Sequence, residues 1–138
     1  MAGASKESVV MVVDIDDEAR KLVSDALSPI GLEVCEFDNG SEALRYIQAQ
    51  PWTWAPSLIV TELMLKGLSG LEFMRRVNEL FPRGNVPFIV VGSDQTLERL
   101  SDEETLSADK LAKPISETEL VRAVRKVTKK KRRRRRSS

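Results

Sequence analysis

A doubly wound α/β fold, a parallel sheet with helices on both faces, is predicted by three features of this 138-residue sequence. Five short apolar runs rich in β-branched residues are spaced along it. Amphipathic stretches of helical period separate them. Glycines, prolines and helix-capping residues punctuate the joints. Strict strand–helix alternation at this spacing argues a parallel sheet, and fully apolar short runs are the mark of strands buried on both faces.

The first strand reads as Val9–Val13. Ala19, Leu22, Val23, Ala26, Leu27 and Ile30 then recur at helical spacing, and Gly31 ends that helix as a left-handed cap. Leu32–Phe37 is the second strand. Asp38-Asn39-Gly40 turns into a helix carrying Ala43, Leu44 and Ile47 on one face. Pro51–Pro56 is a proline-bracketed loop, and Leu58–Glu62 is the third strand. After the loop Leu63–Ser69, Ser69-Gly-Leu-Glu72 fits a capping box, opening a helix with Leu71, Met74, Val77 and Leu80. Val86–Val91 is the fourth strand, Asp94 to about Thr105 a polar helix, and Ala108–Ala112 a short fifth strand. Ser116-Glu-Thr-Glu119 is a second capping box, opening a helix with Leu120, Val121, Val124 and Val127. Five βα units in this length fit the flavodoxin-like strand order 2-1-3-4-5.

Composition narrows the function classes. The hydrophobic fraction of 41% excludes global disorder. No apolar run approaches the ~18 residues of a membrane span, and Met1–Ser8 lacks the layout of a secretory signal. A single cysteine, Cys35, permits no internal disulfide and suits a reducing compartment, so a cytoplasmic location is expected. With no histidine, His-based zinc sites, Ser-His-Asp catalysis and imidazole switching are excluded. The net charge of +1 conceals an asymmetry: residues 1–128 hold 14 bases and 21 acids, a charge of −7, while Lys129, Lys130, Lys131, Arg132, Arg133, Arg134, Arg135 and Arg136 supply +8.

In a doubly wound sheet the functional crevice lies beyond the carboxyl ends of the strands. Those ends are Asp14-Ile15-Asp16-Asp17 after strand 1, Thr61-Glu62 at strand 3, Gly92-Ser93-Asp94 after strand 4 and Lys113-Pro114 after strand 5. The topology thus brings Asp14, Glu62 and Lys113 toward one place.

Over about residues 8–128 the chain resembles the response-regulator receiver (CheY-like) family. The resemblance rests on Val-Val-Asp14 with Arg20 six residues on, on Leu58-Ile-Val-Thr-Glu62-Leu-Met-Leu-Lys-Gly67-Leu-Ser-Gly70-Leu-Glu72, on Val86-Pro-Phe-Ile-Val-Val91, and on Ala108-Asp-Lys-Leu-Ala-Lys113-Pro114. It implies a site at which an aspartate after strand 3 accepts a phosphoryl group. Two acids after strand 1 hold Mg²⁺ there, and a hydroxyl after strand 4 and a lysine after strand 5 hold the phosphorylated state.

Three of those five positions depart from the pattern. Glu62 stands where the phosphoacceptor belongs, and its extra methylene displaces the carboxylate by roughly one C–C bond, ~1.5 Å. A shift of about 1 Å costs on the order of a hundredfold where in-line geometry matters. Ile15 replaces the second metal-holding acid and offers no oxygen. Gly92 replaces the switch hydroxyl, and Ser93 beside it points the other way if the strand continues. The expectation is a pseudo-receiver: no catalytic residues, no cofactor, and at most weak Mg²⁺ binding through Asp14, Asp16 and Glu62. Asp16 reads more readily as the N-cap of the first helix. Glu62 either mimics the phosphorylated state beside Lys113 or forms a structural ion pair with it; the residues leave both open, as they do phosphorylation on Glu62. Plant clock pseudo-receivers also carry Glu at this place.

The resemblance further implies an output face made of the fourth helix, fifth strand and fifth helix, for signalling proteins or a homodimer. Lys110 stands on it where the family often has an aromatic switch residue. Trp52 and Trp54 share one loop at the opposite pole, as a core cover or an interface anchor. Cys35 reads as a packed strand residue. The eight consecutive bases repel one another, so 129–138 is expected to be a disordered polybasic tail. It suits nucleic acid, an anionic membrane, an acidic protein or this chain's own acidic body, serves as a nuclear-localisation-like signal, or is simply solvated. The reading is a single-domain signalling protein, not an enzyme, acting by protein contact without aspartyl phosphorylation. Its rivals are a nucleic-acid-binding regulator and a phosphorylatable receiver.

Overall fold

The computed structural model describes residues 9–81, 86–101, 103–105 and 108–137, with side chains up to residue 128. The expectations for Met1–Ser8 and for the side chains of Lys129–Arg136 lie outside what is described. Five parallel strands, β1 (Val9–Val13), β2 (Glu33–Phe37), β3 (Leu58–Glu62), β4 (Phe88–Gly92) and β5 (Asp109–Ala112), line up in the order β2-β1-β3-β4-β5. This is the predicted topology.

Alternation within the strands builds two separate cores. Val10, Val12, Leu58, Val60, Ile89, Val91 and Leu111 face one way, onto α1 (Asp17–Leu27) and α5 (Glu117–Ser137). Met11, Val13, Ile59 and Val90 face the other way, onto α2 (Gly40–Gln48) and α3 (Gly70–Leu80), where Phe73, Met74 and Val77 are fully buried. Burying each such side chain contributes roughly 1.5–3 kcal/mol, which fixes both faces of the sheet. The edge strands are the exceptions to two-sided burial: in β2 Glu33 and Glu36 are exposed while Val34, Cys35 and Phe37 are half-buried, and in β5 only Leu111 is buried.

The bounds of β2, β4 and β5 shift by one or two residues from the sequence reading, so that Gly92 ends β4, and four further details differ. Pro29 cannot continue α1, so the helix stops at Leu27 and Ser28–Ile30 forms a 3₁₀ turn. Gly31 then closes it at φ 90° as expected. The polar helix α4 spans Asp94–Glu98 only. A new turn starts behind it because Ser101 and Glu104 bond each other reciprocally: the Ser101 N–H donates to Glu104 Oε1 and the Glu104 N–H to Ser101 Oγ, each at 3.1 Å. The capping box of α3 is half made. Ser69 Oγ accepts from the Glu72 N–H, but the Glu72 carboxylate turns to Arg75 and Arg76.

The fourth difference is α5, whose backbone is helical through Ser137 where a disordered segment was expected. Leu120 and Val124 anchor it in the core and Val127 packs beside them. Propagating a nucleated helix fixes one residue per added hydrogen bond. Lys and Arg are good helix formers, and cations suit a helix carboxyl end. These terms oppose the self-repulsion.

No helix among the described residues is long and apolar enough to cross a membrane.

Candidate functional site

Backbone bonds carry the sheet ladder one residue past each strand and so position the site. The Asp14 N–H donates to Phe37 O at 3.0 Å, the Leu63 N–H to Val91 O at 3.0 Å, and the Lys113 N–H to Gly92 O at 2.8 Å. Asp14, Glu62 and Lys113 therefore emerge from β1, β3 and β5 at the same, carboxyl end of the sheet and converge, as predicted.

The geometry is a closed ionic cluster. Lys113 Nζ lies 2.9 Å from Glu62 Oε1, 2.9 Å from Asp14 Oδ2 and 3.0 Å from Asp14 Oδ1. Both carboxylates are buried, Asp14 at 2% exposure and Glu62 at 6%. The other oxygen of Glu62 is also taken: Oε2 accepts from the Leu63 N–H at 2.7 Å and the Met64 N–H at 3.1 Å. Asp14 Oδ1 accepts in addition from the Asp16 N–H at 2.9 Å. Among the described residues no buried side-chain nitrogen or oxygen lacks a partner. Pairing and hydrogen bonds offset at least part of the desolvation of a buried charge, and here each of the three charges has both.

Burial pushes the Asp14 carboxyl above its ordinary pKa, and nearby Glu62 adds to this. The Asp16 amide and Lys113 only partly offset the rise. Burial pulls Lys113 down, but Glu62 and Asp14 together outweigh it and hold the ammonium above its ordinary value.

Gly92 borders the longer carboxylate: a Cβ at that position would sit 3.5 Å from Glu62 Oε2, in ordinary contact. Gly70 is required on the other side. A Cβ there would fall 2.4 Å from Glu62 O and 2.7 Å from Leu63 Cα, so the β3–α3 loop closes only over a glycine.

The remaining predicted residues sort cleanly. Asp16 is the N-cap of α1, its Oδ1 accepting from the Glu18 N–H at 3.0 Å. Ser93 caps α4, its Oγ 3.2 Å from the Thr96 N and 2.8 Å from Thr96 Oγ1. Neither hydroxyl nor carboxylate is part of the cluster. Ile15 projects from the β1–α1 loop, 44% exposed. Arg20, quoted only as part of a motif, proves to tie down that loop. Its guanidinium bonds the Asp14 carbonyl and Asp17, and reaches Glu36 at 3.5 Å. The amides of Leu63 and Met64 were not foreseen either, since a backbone N–H has no signature in the sequence.

The donor set does not fit a Mg²⁺ centre. The ion needs several oxygens in near-octahedral array, whereas Asp14 and Glu62 each turn oxygens toward the Lys113 ammonium, Ile15 supplies none and Asp16 caps a helix. Among the described residues no group of three or more His, Cys, Asp or Glu is placed to hold a metal.

Away from the cluster, Trp54 packs edge-on to Tyr46 at 5.7 Å, and Tyr46 on Phe37 at 5.3 Å, so Trp54 covers the core edge. Trp52 is 93% exposed. Cys35 is half-buried, its Sγ 3.8 Å from the Tyr46 hydroxyl. Lys110 lies along the sheet and donates to Leu100 O at 3.3 Å.

A doubly wound sheet with an acid after β1, another ending β3 and a lysine after β5 defines a class, and comparison with known proteins agrees. The family model of the response regulator receiver domain matches residues 10–125. The response regulator receiver protein CpdR of Brucella abortus is 29% identical over 118 residues, 86% of this chain and 94% of CpdR. The two-component response regulator-like protein PRR37 of Oryza sativa subsp. indica is 30% identical over 112 residues, covering 80% of this chain but 15% of that much longer protein. The chemotaxis response regulator CheY4 of Vibrio cholerae superposes with a TM-score of 0.73 over 88% of this chain and 98% of its own, at 22% identity, which shows the shared fold. The chain belongs to the response regulator receiver domain family of two-component signal transduction.

Proposed function

We infer that this receiver domain is a pseudo-receiver, a cytoplasmic signalling module that works by protein contact and takes up no phosphoryl group. The observation that carries the reading is that both Glu62 oxygens are engaged: Oε1 by Lys113 and Oε2 by the amides of Leu63 and Met64. An acceptor carboxylate must turn a lone pair to an incoming phosphorus. Here that would mean breaking bonds in a desolvated cluster, with no metal-holding acid at Ile15 and no hydroxyl at Gly92 to receive the product.

In this reading the Glu62–Lys113 contact is permanent. The β3–α3 and β5–α5 connections stay joined whatever the upstream signal, and the domain presents one surface to its partner through α4, β5 and α5. The chain has no catalytic activity of its own and no cofactor. Magnesium binding supplies the test. Calorimetric titration of the full chain with Mg²⁺ is expected to show no saturable heat at millimolar ion, and sub-millimolar affinity contradicts the reading.

A further inference from the structure

The basic run at residues 129–136 has no counterpart in the cluster chemistry, and its backbone placement says what it fits. It is not a separate segment but the continuation of α5, a helix of 21 residues, about 31 Å long. The first half of that helix is held by the domain. Leu120 and Val124 are buried, Val127 packs against them, and Lys126 pairs with Asp109 at 3.7 Å. The eight bases follow directly, over about 12 Å of helix.

Four observations narrow the ligand. Bases at eight successive helical positions cover every azimuth of more than two turns, so the segment has no apolar stripe with which to enter a lipid surface. It contains no aromatic residue, so no aromatic platform for single-stranded bases is present. Five of the eight are arginines, whose planar guanidinium matches phosphate bidentately. Residues 1–128 carry 14 bases against 21 acids, −7 overall, which a broad anionic surface would repel. A helix whose charges all follow its core-anchored half can enter a groove while the acidic body stays outside. The diameter of a helix with side chains, roughly 10–12 Å, matches the ~12 Å major groove of B-form DNA.

We propose that residues 129–136 of α5 form a helix that seats in the major groove of duplex DNA and binds its phosphates without sequence preference. The fold thereby couples a receiver surface to DNA through one continuous helix, since β5 and the core hold the same α5 that carries the bases.

The test uses the full chain, a short random-sequence DNA duplex and vesicles containing phosphatidylserine, with binding followed by anisotropy across a salt series. Two variants separate helix from charge. Arg132→Gln and Arg132→Pro each lose one base, but only the proline breaks the helix, and Val127 keeps the core clear of either change. The parent is expected to bind the duplex with a log–log salt slope approaching about −7, the limit for eight phosphates. Arg132→Pro should bind roughly tenfold or more weaker than Arg132→Gln, because the released residues must be reordered on the groove. Equal affinity of the two variants, tighter binding to the vesicles than to the duplex, or no salt-dependent binding at all would each overturn the proposal.

Discussion

Glu62 and Lys113 are in direct contact, Oε1 to Nζ at 2.9 Å, across the end of the sheet between β3 and β5. The strands from which they emerge are separated by β4, which ends in Gly92. Gly92 borders the pair on the Oε2 side, where an added Cβ would sit 3.5 Å from that oxygen. The pair is structural as well as electrostatic, and its consequences can be measured.

Removing the lysine leaves two buried carboxylates facing each other. Breaking one partner out of a buried pair costs roughly 3–5 kcal/mol. Lys113 keeps 24% of its side chain exposed, so the lower end applies. Lys113→Met is expected to lose about 3 kcal/mol at neutral pH in urea unfolding, with the deficit shrinking as acid protonates the orphaned carboxylates. A loss independent of pH contradicts the assigned cause.

Asp14 predicts a gain. Its folded-state pKa lies above the ordinary 3.8 because of burial, so the folded chain holds that proton more tightly than the unfolded chain. Its stabilising contribution is present below pH 3.8 and is lost as pH rises through the folded value; at neutral pH the ionised form is a cost. Asp14→Asn keeps an acceptor for the Asp16 N–H and for Lys113 without the charge. It should raise the urea midpoint at neutral pH, with the advantage fading in acid. Lower stability than the parent at neutral pH contradicts it.

Lys113 sets the alkaline limit. Its folded pKa is raised above 10.5, so its contribution is fully present below that pH and disappears as pH rises through the folded value. Thermal unfolding above pH 10.5 should show the parent losing stability that Lys113→Met no longer has to lose. Parallel alkaline limbs in the two proteins would sink the assignment.

Gly70 weighs two opposing effects. Gly→Ala in a helix gains up to about 1 kcal/mol by propensity, but the added Cβ meets backbone, not a flexible side chain, at 2.4 and 2.7 Å. Overpacking costs about 1–3 kcal/mol. Gly70→Ala should therefore be net destabilising by about 1–2 kcal/mol. Neutral or raised stability would show that the β3–α3 loop can retreat.

Much of this was legible in the residues. Apolar runs gave five strands and their order, and the strand ends gave Asp14, Glu62 and Lys113 as one cluster. What escaped was set by groups that sequence does not display. The orientation of Glu62 depends on the amides of Leu63 and Met64. Asp16 reads from the sequence as an N-cap and is one, whereas the capping of α4 by Ser93 is set by the local backbone. The shortness of α4 depends on the reciprocal bonding of Ser101 and Glu104, four residues inside what reads as one polar helix. The helical backbone of 129–137 reflects anchoring by Leu120 and Val124, a tertiary effect that the charge pattern alone opposes.

The central claim is that the Glu62 carboxylate is committed and unavailable. Intact-mass spectrometry of the full chain after incubation with acetyl phosphate and Mg²⁺ tests it most directly. The account predicts an unchanged mass for the parent. It also predicts that reopening the site by Ile15→Asp, Glu62→Asp and Gly92→Thr together yields a species heavier by one phosphoryl group. A phosphoryl adduct on the parent chain that disappears in Glu62→Gln would contradict it.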